Sequence, residues 1–154
     1  MTRPFDSIML RTLMGPLVGA TQLFALYVLI HGHYSPGGGF QGGVLVAAGI
    51  ILPMLIFGRD GDCPPGIVRI GPTGSISIAA IGVLIFFGTG LYSLLFGNPL
   101  MNYADLPLSS DPAMRRSYSI LIIEIGVTLA VAGGVLSIFH SLYGDSPQNG
   151  EVAA

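Results

Sequence analysis

The chain has 154 residues, of which 51% are hydrophobic and 9% charged, with no lysine and a formal net charge of −2. Soluble domains carry roughly 25% charged residues, so this composition excludes a soluble enzyme, and the absence of any basic patch excludes a nucleic-acid binder. A mean hydropathy of +0.74 is that of an integral membrane protein.

Four apolar runs are long enough to cross a hydrocarbon layer of about 30 Å, which takes about 20 helical residues. They cover about residues 12–31, 40–58, 76–96 and 119–143. Each is continuous, where a β-barrel would show short alternating segments. The expected fold class is therefore an all-α integral membrane protein with four transmembrane helices and short loops. Residues 1–144 form one expected domain, and 145–154 a polar, disordered tail.

The first run follows Arg3 and Arg11, as the apolar core of a signal peptide would. Its core is too long for one, and no small-residue cleavage site follows it, so it reads as a retained helix. Gly15 and Gly19 stand four residues apart with Pro16 between them, a spacing that lets another helix come close. Gln22, near the middle of the run, is suited to hydrogen bonding between helices.

Between the first two runs lies His31–Gly43, HGHYSPGGGFQGG, with two histidines, one proline and six glycines. A phosphate loop needs a preceding strand and a G-K-[ST] ending, and neither is present. The glycines have a steric use: Gly37, Gly38 and Gly39 permit positive φ and close backbone approach. Pro36 fixes the chain direction, and Ser35 is placed to cap the next helical turn. Phe40 follows, and Gly42 and Gly43 keep the start of the second span thin. His31 and His33 lack the further ligands that a metal site needs, and His140 lies at the far end of the last span, so no metal is expected. Histidines near a membrane interface relay protons or serve as ordinary loop residues, and both readings stand for these two.

The second connection holds Arg59, Arg69 and the lone Cys63. One cysteine forms no internal disulfide and no C-x-x-C pair, so an inert thiol is expected. The third connection is rich in proline, and its Leu100, Met101, Leu106 and Leu108 are placed to dip toward lipid or a partner. Arg3, Arg11, Arg59 and Arg69 fall on one side and Arg115 and Arg116 on the other. The positive-inside rule then puts both termini in the cytoplasm and the glycine turn outside.

In the fourth run Gly126, Ala130 and Gly134 form a small-residue stripe at four-residue spacing, for packing inside the unit or on other subunits. Glu124 lies about five residues into this run, where a carboxylate is costly and by default a functional-site hypothesis. Thr128 shares its face, one turn on. Gly126 sits about 200° around from Glu124, so a polar face and a close-packing face oppose each other and the helix is expected to be buried all round. Glu124 either borders a hydrated ion or proton path, assisted by His31 or His33, or anchors a neighbouring helix. No internal repeat is evident, which argues against a transporter complete in itself.

The segment HGHYSPGGGFQGG resembles the signature of the MnhB family, the B subunits of Mrp-type multisubunit cation/proton antiporters. LRTLMGPLVGATQLFALYVLIHGH is similar to that family's first helix and EIGVTLAVAGGVLSI to its last. Within the pattern His31, His33, Ser35, Pro36 and Phe40 match, and Glu124 matches the acidic position before I-G-V. The loop around Cys63 departs from it. The resemblance implies a small four-helix subunit in a prokaryotic plasma membrane, with no catalytic activity or cofactor of its own. It implies assembly with other membrane subunits that exchange Na+ or another monovalent cation for protons. Alternatives within the resemblance are a cation-translocating module of a redox-driven complex, such as a membrane-bound hydrogenase, and a pure assembly scaffold.

Overall fold

A computed structural model describes residues 8–32, 37–58, 68–96 and 111–144. Four helices make up almost all of it: α1 (Ile8–Ile30), α2 (Gly39–Phe57), α3 (Pro72–Leu95) and α4 (Pro112–Gly144). All four are long and apolar enough to cross a membrane. α2 lies close to the expected run 40–58, and α1 starts four residues before the run expected from 12. The third and fourth helices start earlier than their apolar runs, because caps rather than hydropathy set where a helix begins. Pro72 stands at the start of α3 after extended Gly71, a position where proline's missing N–H costs nothing. At α4 the Asp111 carboxylate accepts from the Ala113 N–H at 3.1 Å, satisfying an otherwise orphaned donor. The 33 residues of α4 extend for about 50 Å, well beyond the hydrocarbon thickness.

The helices lie side by side in the order α1, α2, α4, α3. Facing residues give the directions: Gly42 against Ala25 and Gly49 against Gln22 make α1 and α2 antiparallel. Gly39 against Glu124 and Gly43 against Thr128 make α2 and α4 parallel, while Gly82 against Gly126 and Gly133 against Ala79 make α4 and α3 antiparallel. Among the described residues α3 touches α4 alone. The arrangement is thus an open layer of helices and not a closed bundle.

Glycine places α2 in the middle of this layer. Gly39 and Gly43 turn toward α4, and Gly42 and Gly49 toward α1, so both neighbours approach closely and gain dispersion contacts over their whole length. Ala47, Ile50, Met54 and Leu136 fill the α2–α4 seam, and Met14, Val18 and Phe57 the far end of the α1–α2 seam. α4 is not enclosed all round as its two-faced pattern implied. Among the described residues it packs on α2 and α3 with a small further contact to α1, and Ile125, Ile138 and Leu142 stay 38%, 63% and 73% exposed.

Candidate functional site at the glycine turn

The site is built where α2 begins against the N-terminal half of α4. Gly39, the first residue of α2, lies directly on the Glu124 carbonyl, and an added Cβ there would also stand 3.0 Å from Val127 Cβ. One turn on, a Cβ at Gly43 would stand 2.7 Å from the Thr128 carbonyl oxygen. The Thr128 hydroxyl is within reach of two acceptors, the Gly39 carbonyl at 3.0 Å and the Glu124 carbonyl at 2.8 Å. A buried hydroxyl must find such a partner in hydrocarbon, and here it ties α4 to the first residue of α2.

The Glu124 side chain reaches out from this seam and under the turn. A Cβ on Gly32 would fall 2.5 Å from Glu124 Oε1 and 2.5 Å from the Gly38 Cα, and a Cβ on Gly38 would fall 3.4 Å from the same oxygen. Gly38 occupies the N-cap position of α2 at φ 112°, a left-handed conformation open to glycine and rarely to other residues. A side chain at Gly32 would run into the Gly38 backbone as well as the carboxyl, so these two glycines and Glu124 pack as one cluster. Glu124 Oε2 is itself shielded from solvent. Glu124 and the turn are one site.

His31 sits at the rim of this cluster and is exposed. Its ring stacks on Tyr27 with centroids 4.2 Å apart, and its Nδ1 lies 3.1 Å from the Tyr27 carbonyl. A carbonyl only accepts, so Nδ1 carries the proton in this contact. Gly37 packs beside Val28, and Gly42 beside Ala25, Leu29 and the Thr128 hydroxyl. Phe40 points away from the carboxyl. With Gln41, Val44 and Leu45 it lines an open apolar groove of about 320 Å³ on the outside of α2. His33, Ser35, Pro36, Cys63, the leucines of the third connection and the tail lie outside the described residues. Among the described residues no three His, Cys, Asp or Glu side chains gather closely enough to hold a metal ion.

The packing residues divide into two groups. Gln22 Nε2 donates to the Val46 carbonyl at 3.1 Å, joining α1 to α2. Gly126 and Ala130 lie against Gly82 on α3. Gly134 does not join them: a Cβ there would meet nothing within 4 Å, and Gly133, one residue earlier, packs on Ala79 and Ser75 instead. The stripe follows i, i+4, i+7, which tracks a straight helix more closely than two steps of four. Gly15 and Gly19 likewise meet nothing within 4 Å.

Sequence reasoning missed Gly32 and the α3 half of the seam. Gly32 was legible as the glycine held between two histidines. Ser75, Ala79 and Gly82 repeat the i, i+4, i+7 spacing and were readable as a second stripe.

A helical membrane protein whose α3 packs on α4 alone among the described residues, and whose Glu124 carboxyl lies against Gly32 and Gly38, is a unit made to work among other membrane helices. Comparison with known proteins names the family. A family model described as a domain related to the MnhB subunit of Na+/H+ antiporter matches residues 9–137. The chain belongs to this family. It is 29% identical to the B subunit of the Na(+)/H(+) antiporter of Bacillus subtilis, over 78% of this chain and 81% of that protein. The putative antiporter subunit mnhB2 of Staphylococcus saprophyticus is 28% identical, over 90% of this chain and 96% of its own length. The Na(+)/H(+) antiporter B subunit of Alkalihalophilus pseudofirmus is also 28% identical, over 91% of this chain and 94% of its own.

Proposed function

We propose that this chain is a non-catalytic membrane subunit of a multisubunit Na+/H+ antiporter in a prokaryotic plasma membrane. The observation that carries this reading is the MnhB match over residues 9–137. The open layer of helices supports it, because helix faces bearing Leu23, Leu84 and Phe87 at 71%, 71% and 66% exposure have no cover among the described residues. Other membrane subunits are the partners that would pack there, and the open faces at Gly15, Gly19 and Gly134 suit close approach of their helices.

In this reading the subunit lines one side of an ion path near the outer surface. Glu124 supplies a protonatable group in the path, Thr128 fixes its position relative to α2, and His31 passes protons between it and the outside. Both termini lie in the cytoplasm. A C-terminal cysteine labelled only after membrane permeabilisation would support this topology, and labelling of intact cells would overturn it.

The test of function is purification of the tagged chain in mild detergent. The expected result is a stable complex with other polytopic subunits that drives Na+-dependent proton exchange in vesicles. Recovery with nickel- or iron–sulfur-bearing subunits would instead assign it to a redox-driven pump, and recovery alone would overturn the subunit reading.

A further inference from the structure

We infer that the four helices cross the membrane with a common lean of about 30° in the plane of the layer, and do not stand upright. Register along each seam follows from the facing residues. Gly39 and Gly43 of α2 lie against Glu124 and Thr128 of α4, Gly82 and Gly133 pair α3 with α4, and Gly42 and Gly49 pair α2 with α1. Followed along helices that run side by side, these pairs set Ile30, the last residue of α1, level with the start of α2 and close to Gly126 of α4. They set Leu95, the last residue of α3, about ten residues nearer the start of α4, beside Arg116. At the end nearest the glycine turn α3 therefore overshoots α1 by about 15 Å. At the opposite end the order reverses, and Ile8 of α1 passes Pro72 of α3 by a similar distance.

Both overshooting ends are apolar and exposed: Leu91, Leu94, Leu95 and Phe96 on α3, and Ile8, Met9 and Leu13 on α1. A hydrocarbon slab of about 30 Å that covered one of these diagonal corners of an upright layer would leave the other in water, which is unfavourable in proportion to its apolar area. Packed helices lie 8–10 Å apart. A step of about 15 Å across three such spacings is removed by a lean of about 30°, within the range of transmembrane helices. The same lean accounts for α4. Two-thirds of the way from α1 to α3 the hydrocarbon boundary falls near Ser119, so the charges of Arg115 and Arg116 clear it while the apolar residues 120–123 stay inside. A helix of another subunit that packs along either edge has to lean with it.

The experiment measures depth in the purified complex, in vesicles of phosphatidylcholine brominated at defined acyl positions. A fluorescent residue is placed by stop-codon suppression at one site at a time: Ile30, Leu95, Leu13 and Ile76, all exposed on the chain. The expected result is equal depth, within about 4 Å, for Ile30 and Leu95, and again for Leu13 and Ile76. Depths about 13–16 Å apart within each pair are those of upright helices and would overturn the inference. So would quenching that reaches Ile30 and Ile76 but not Leu95 and Leu13, because corners covered by other subunits need no lean. Polarised infrared spectroscopy of the full chain in oriented bilayers checks the same point without labels or partners. A mean helix angle of about 30° from the membrane normal is expected, and one below about 15° would overturn the lean.

Discussion

At Thr128 a single hydroxyl holds two helices in register, with acceptors at 3.0 Å and 2.8 Å. Valine keeps its shape and removes the donor, so Thr128→Val isolates the bond. Interhelical hydrogen bonds in membranes contribute about 0.6 kcal/mol on average and up to about 1.7 kcal/mol. Thr128→Val should therefore lower unfolding stability in detergent within that range, and a loss well above it would mean that the site also repacks. The same residue shows what was readable beforehand. Glu124 and Thr128 were identifiable on one helical face from their four-residue spacing alone. That the face meets the glycine turn was not, because nothing local says which helix lies beside which. Gly32 escaped for the same reason: its role comes from an oxygen 92 positions along the chain.

Among the elements, α3 and α4 meet along backbone. Gly82 lies on Ala130 and on the Gly126 carbonyl, and Gly133 on Ala79 and the Ser75 carbonyl. The buried hydroxyls of Ser75 and Ser119 turn back to Gly71 and Arg115 at 3.0 Å and 2.9 Å, leaving the seam between them free for packing. Gly82→Val should overpack this seam at a cost of about 1–3 kcal/mol, read as lower unfolding stability in detergent. Gly134→Ala meets no atom within 4 Å among the described residues, so it should leave that stability unchanged, and a drop would place Gly134 in the seam after all. Apolar run length revealed the existence of all four helices, since lipid demands it. Their ends needed local capping chemistry, at Asp111 and Pro72. The choice of Gly133 over Gly134 needed the partner helix in hand.

For the whole molecule, lateral order matters more than helix count. The sequence of neighbours α1, α2, α4, α3 sets the last helix between two that precede it. During synthesis α1 and α2 can pair as soon as both are in the membrane, sharing Gly42, Gly49 and the Gln22 bond. α3 then arrives with its buried serines and glycines facing a partner that the ribosome has not yet made. It must wait in lipid until α4 inserts between it and α2. A chain ended at residue 110 should therefore keep a protease-resistant α1–α2 hairpin while α3 is cleared, and survival of both in pulse-chase would count against this order. The final helix is the one that turns two separate pieces into a single protein, so quality control of this subunit turns on whether its last helix enters the membrane.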